Sequence, residues 1–124
     1  MSKNILIVDD SKFTLEITSF TIETAGYKSF TAQNALESLE ILVKEDIDLM
    51  IIDIVMPDMD GYTLIKKIRA DKKLIEKPII IITTQNAAKD QQKGIEAGAN
   101  VYLIKPVNEY ELIAQIKLLI GDSE

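Results

Sequence analysis

The runs NILIV (4–8), LMIID (49–53) and PIIIIT (78–83) carry apolar side chains on successive residues rather than on alternate ones. Neighbouring strand residues point to opposite faces, so such runs suit strands covered on both sides, as in a parallel sheet. Two weaker runs, KSFTA (28–32) and NVYLIK (100–105), bring the series to five. Parallel strands need long crossovers, and the segments between the runs have helical periods. Phe13, Ile17 and Phe20 recur at i, i+4 and i+7, and Leu36, Leu39 and Val43 at i, i+3 and i+7. Leu112, Ile113, Ile116, Leu119 and Ile120 form the clearest stripe. These stripes are expected to face the sheet.

Local signals support the same division. Asn34 with Glu37 and Asn108 with Glu111 have the spacing of an N-cap and its third helical position. Gly26 and Gly98 stand where a left-handed residue would end the first and fourth helices. The fourth helix, near 87–97, offers Ile95 as its only large apolar anchor. Gly94 in its interior costs about 1 kcal/mol relative to alanine, so this helix is expected to be weakly held. Five strands alternating with five helices predict one doubly wound α/β domain filling residues 1–124, with LLIGDSE as the fade after the last helix. A chain of 124 residues can bury about two-thirds of its unfolded surface around one core.

Composition narrows the function. A net charge of −6 argues against neutralising a nucleic-acid backbone, which needs a basic face. Cysteine and histidine are both absent. That removes disulfides, thiolate chemistry, most zinc sites and any serine–histidine triad, and it places any phosphohistidine on another protein. No apolar run has the length of a membrane span and MSKNILIVDD is too short for a secretion signal, so the chain reads as cytoplasmic.

In doubly wound folds, ligands gather beyond the carboxyl ends of the strands. The first run ends in Asp9 and Asp10, the third in Asp53, the fourth in Thr83, and the fifth in Lys105 followed by Pro106. Two carboxylates about 5 Å apart repel by roughly 3 kcal/mol at an effective dielectric near 20, and Lys105 alone cannot balance three. A hard divalent cation such as Mg2+, held by Asp10 and Asp53 with Asp9 close by, resolves the repulsion and leaves an Asp53 oxygen free to attack phosphorus. Lys105 would then share in neutralising the transferred group.

ILIVDDS, MIIDIVMPDMDGYTLIKKIR, PIIIITT and GANVYLIKP, with their spacings, resemble the receiver domain of two-component response regulators across essentially the whole chain. The match is to the stand-alone, CheY-like form, without an output domain. The resemblance implies a five-stranded parallel sheet in 2-1-3-4-5 order and a switch that accepts a phosphoryl group on Asp53 from a histidine kinase or a histidine phosphotransfer protein. It implies Mg2+ among Asp9, Asp10, Asp53 and the backbone carbonyl of Val55. It assigns Thr83 and Lys105 to the phosphoryl oxygens and Tyr102 to the switch position. It implies a cis bond between Lys105 and Pro106, a state that about 5% of X–Pro bonds adopt. The expected protein is a monomer whose α4–β5–α5 surface passes the signal to an effector protein, with no nucleic acid or membrane involved. It is not a turnover enzyme, although it catalyses its own phosphorylation and hydrolysis.

Each element has a plainer local explanation. Asp9 and Asp10 could be a capping turn, Asp53 a strand end before a Pro and Gly turn, Thr83 a β-former, Tyr102 a strand aromatic and Lys105–Pro106 a loop start. Their coincidence at the strand ends favours the site. A haloacid-dehalogenase phosphatase needs a second acid where Val55 stands, a flavodoxin needs a Ser, Thr and Gly loop in place of DDSKFT, and a docking-only receiver would lack an acid or the lysine. Val55 cannot orient a water through its side chain, Gln85 could, and Thr84 is bulkier than the residue usual there. These positions are expected to slow loss of the phosphoryl group.

Overall fold

The computed structural model describes residues 2–121, so Met1 and the closing residues 122–124 of LLIGDSE lie outside the described residues. The elements run β1 (Asn4–Val8), α1 (Lys12–Thr24), β2 (Lys28–Ala32), α2 (Ala35–Lys44), β3 (Leu49–Ile52), α3 (Gly61–Arg69), β4 (Ile79–Thr83), α4 (Ala88–Ala97), β5 (Val101–Ile104) and α5 (Glu109–Ile120). The strands form one parallel sheet in the order β2-β1-β3-β4-β5, as the resemblance implies.

The unbroken apolar runs are explained by two cores, one on each face. Leu6, Val8, Met50, Ile52, Ile79 and Ile81 pack with Leu64, Ile65 and Ile68 of α3. Their strand neighbours Ile5, Ile7, Leu49, Ile51, Ile80 and Ile82 pack with Leu15 and Ile22 of α1 and with Leu112 and Ile116 of α5. Each fully buried aliphatic side chain contributes roughly 1.5–3 kcal/mol relative to exposure, so neither face of the central strands can be turned to water.

Asn34 accepts from the Glu37 amide, and Asn108 from the amides of Tyr110 and Glu111, as their spacing predicts. Gly98 ends α4 at φ 124°, and Gly26 follows the end of α1 at φ 99°.

Three expectations about helix faces are overturned. Phe13, Ile17 and Phe20 are exposed, and α1 instead buries Leu15, Thr18 and Ile22, a second stripe at i, i+3 and i+7. On α2, Leu36 and Val43 are exposed while the small Ala35 and Ser38 are buried, with Leu39 packed at the core edge. Small residues let the helix axis approach the sheet, and the Ser38 hydroxyl is satisfied by the Ala35 carbonyl at 2.6 Å. On α4, Ile95 is exposed and the buried residues are Gly94 and Ala97. A Cβ on Gly94 would lie 2.7 Å from Cδ1 of Ile81 and 2.9 Å from Cδ2 of Tyr102, so this glycine serves close approach to the sheet.

Arg69 closes the opposite end of the domain. Its guanidinium donates to the carbonyls of Gly98, Leu74, Ile75 and Lys77 and to Oδ1 of Asn100.

Candidate functional site

Register places the acids together. Val8 pairs with Ile52, and the Asp53 amide donates to the Val8 carbonyl at 2.9 Å, so Asp9 and Asp53 leave adjacent strands side by side. Asp9 and Asp53 are buried, 4% and 7% exposed, while Asp10 is exposed. Each buried carboxylate is fixed twice. Oδ1 of Asp9 accepts from the Ser11 amide at 2.9 Å, and Oδ1 of Asp53 from the Val55 amide at 3.2 Å. Their Oδ2 atoms meet the Lys105 ammonium at 2.8 and 3.0 Å.

Lys105 therefore ties β5 to the ends of β1 and β3. Partial burial pushes its pKa down, but hydrogen bonds to Asp9 and Asp53 outweigh that and leave the pKa above the ordinary lysine value. The ammonium stays charged at neutral pH. Carboxylate oxygens of Asp9, Asp10 and Asp53, one from each, lie within 4.8 Å of one another. Three such oxygens facing a single ammonium fit a hard divalent cation in number and kind of ligand. The side chain of Val55 is half-exposed beside this cluster.

Thr83 ends β4 with no solvent exposure, and its Oγ1 lies 3.4 Å from the Gln85 amide that donates to it. The Lys105 amide donates to the Thr83 carbonyl at 2.8 Å, setting Thr83 and Lys105 on neighbouring strand ends. Tyr102 is half-buried and donates from its hydroxyl to the Gln85 carbonyl at 2.7 Å. The Lys105–Pro106 bond is cis. Thus Asp9, Asp10, Asp53, Thr83 and Lys105 share one rim, and Tyr102 reaches its edge through Gln85.

A cleft of about 390 Å3 opens beside the rim, with Phe13 and Ile17 on one wall and Lys105, Pro106 and Thr84 among the others. Phe13 and Ile17 of the exposed α1 stripe thus border the site rather than the core.

Three contributors escaped the sequence reading. A Cβ on Gly61 would lie 2.6 Å from the Asp53 carbonyl oxygen, and its amide bonds the Ile54 carbonyl at 2.8 Å, so Gly61 lets α3 begin against the chain that follows Asp53. Its signal in the sequence was the Pro and Gly turn expected after Asp53. Asp58 accepts from the Ala35 and Leu36 amides, both at 3.1 Å, and so joins the loop after β3 to the start of α2. The Ala35 amide is the largest cause that lowers the Asp58 pKa, against partial desolvation. Tyr62, buried on α3, donates to the Asp90 carbonyl of α4 at 3.1 Å. Neither contact follows a sequence periodicity.

This fold with this rim defines a class, and comparison agrees. The chain belongs to the response regulator receiver domain family, whose sequence pattern matches residues 5–117. It is 32% identical over its whole length to the phosphate regulon transcriptional regulatory protein PhoB of Pseudomonas aeruginosa, of which the match covers 56%. It is also 32% identical to the alkaline phosphatase synthesis transcriptional regulatory protein PhoP of Bacillus subtilis, of which the match covers 51%. The chain thus spans about half the length of these curated relatives. Among solved structures, the chemotaxis protein CheY4 of Vibrio cholerae superposes with a TM-score of 0.91 at 31% identity, covering 96% of this chain and 99% of that one. A CheY-like response regulator receiver domain protein of Methanospirillum hungatei gives 0.88 at 33% identity, covering 95% and 93%.

Proposed function

We propose that this chain is a Mg2+-dependent phosphoacceptor switch whose nucleophile is Asp53. The observation that carries the reading is the buried Asp53 carboxylate, 3.0 Å from the Lys105 ammonium and clustered with Asp9 and Asp10. An Asp53 oxygen forms a bond to phosphorus as the P–N bond of a phosphohistidine on a kinase or phosphotransfer partner breaks. The electron pair of that bond returns to the partner's imidazole, and the product is an aspartyl phosphate. Asp9, Asp10, Asp53 and the Val55 carbonyl would hold Mg2+, which when bound supplies charge neutralisation at the carboxylates and the phosphoryl oxygens. Lys105 already spans the site and stabilises negative charge on the transferred group.

The product carries close to two negative charges and three strong acceptors beside Thr83. The Thr83 hydroxyl turns to donate to a phosphoryl oxygen, loosening its contact with the Gln85 amide. Tyr102, bonded to the carbonyl of the same residue, changes place, and the α4–β5–α5 surface is presented differently to an effector protein. The chain acts as a monomer inside the cytoplasm, with no nucleic-acid partner, and turns over no external substrate. No helix among the described residues is long and apolar enough to cross a membrane.

Intact mass after incubation with phosphoramidate tests the chemistry. A single phosphoryl adduct that requires both Mg2+ and Asp53 is expected, and Asp53→Asn abolishes it. An adduct of equal extent on Asp53→Asn would overturn the assignment. The exposed Val55 side chain offers no group to orient a water, so Val55→Asn is expected to shorten the lifetime of the adduct, followed by the same mass measurement over time.

A further inference from the structure

Four of the five helices among the described residues begin on a side-chain cap. Ser11, Asn34, Asp60 and Asn108 accept from amides of α1, α2, α3 and α5, whereas α4 follows Ala87 with no side-chain bond. The approach to α4, residues 84–89, is exposed at every position. Two tyrosine hydroxyls from other elements hold this start instead.

The two contacts differ in what governs them. The Tyr102 hydroxyl binds the Gln85 carbonyl, and the amide of the same residue leans on Thr83 Oγ1. Any movement of Thr83 therefore reaches Tyr102 through a single residue, Gln85. The Tyr62 hydroxyl binds the Asp90 carbonyl inside the first turn of α4 and also meets the Tyr102 hydroxyl, so the two contacts touch, but no rim residue stands between Tyr62 and α4. Its ring is 7% exposed in the core formed by α3 and the sheet, so the hydroxyl cannot swing away without unpacking that core. Lys93, one α4 residue short of Gly94, lies over the same ring at 4.8 Å. Burial raises the pKa of both tyrosines, which keeps each hydroxyl a donor through the neutral range.

We infer that Tyr62 is a positioning residue of the switch, the fixed catch at the start of α4 against which the movable Tyr102 catch works. It sets how much of α4 is released before any phosphoryl group arrives. This inference rests on the phosphoacceptor reading for its signalling role, but the catch itself exists in the unmodified chain. If release and phosphorylation are coupled, the coupling is reciprocal, so a chain whose α4 is already loosened takes up phosphoryl groups more completely from a limiting donor.

Hydrogen exchange on the whole chain decides it, with Tyr62→Phe keeping the ring and Tyr62→Leu removing the Lys93 contact as well. In the unphosphorylated protein, amides over 85–92 are expected to exchange about five-fold faster in Tyr62→Phe, the factor set by one net hydrogen bond, and faster again in Tyr62→Leu. Exchange over 79–82 and 61–69 should hold steady in Tyr62→Phe. At limiting phosphoramidate with Mg2+, the phosphorylated fraction should rise in the same order. Unchanged exchange over 85–92 in Tyr62→Phe would overturn the inference, and so would acceleration spread equally over α3 and β4, which marks a merely structural role. A phosphorylated fraction indifferent to Tyr62 also overturns it. If the parent takes no phosphoryl group, the phosphoacceptor reading fails while exchange in the unmodified chain still judges the catch.

Discussion

α3 and α4 are neighbours of similar length, yet they are held in opposite ways. α3 buries Gly61, Tyr62, Leu64, Ile65 and Ile68 of its nine residues, is capped by Asp60, and ends on Lys66, Lys67 and Arg69, which complement its dipole. α4 buries only Gly94 and Ala97 of its ten, has no side-chain cap, and has no basic residue in its last turn. Opening α4 therefore exposes little apolar surface, while opening α3 dismantles a core. A firmly held helix next to Asp53 and a lightly held one beyond it suit the proposed switch, which needs a fixed frame and an element with a small energy gap.

The comparison can be attacked at several points. Ile65→Ala should cost about 2–5 kcal/mol in global denaturant unfolding, and a small loss would show that α3 is not the frame. A matched pair sharpens the point: Gly61→Ala and Gly94→Ala add the same methyl group. At Gly61 the new atom meets backbone at 2.6 and 2.8 Å, which cannot yield, so a loss of about 1–3 kcal/mol is expected. At Gly94 it meets the ends of Ile81 and the ring of Tyr102, and the helix propensity gain of about 1 kcal/mol offsets the displacement. Equal losses in the two variants would contradict the contrast.

The Lys105 bridge belongs to the rigid half, and pH probes it. Its folded pKa is raised, so its contribution is fully present below the ordinary value of 10.5 and is lost as pH rises through the folded value. The difference in stability between the parent and Lys105→Met should therefore shrink above pH 10.5 in alkaline unfolding curves, modestly because solvent screens the pair. Smallest of all, Ile95→Ala should change stability by no more than about 0.5 kcal/mol, as expected of an exposed position.

The strand ends were legible because a parallel sheet leaves few choices: runs apolar on successive residues must be interior, and whatever polar residue ends them must sit on the rim. Asp9, Asp10, Asp53, Thr83 and Lys105 followed from that rule. Helix faces were less legible. α1 carries two apolar stripes, and the aromatic one with Phe13 and Phe20 is larger than the Leu15–Ile22 stripe that the core takes. Size says nothing about which stripe lies over the sheet. On α2 and α4 the buried side chains are small, so a search for large anchors selected Val43 and Ile95, which are exposed. Tyr62 and Asp58 act by contacts between residues far apart in sequence, and no local pattern encodes such a meeting, while Gly61 is set by close approach to the chain just after Asp53.

Arg69 gives this arrangement its mechanics. Its guanidinium grips the Gly98 carbonyl just beyond the end of α4 and, through Asn100, the first residues of β5, while four of its five bonds go to the backbone. A rod pinned at one end and latched at the other has a single easy motion. Any opening of α4 is therefore expected to travel least at Gly98 and most beside Gln85, the residue that bonds both Thr83 and Tyr102.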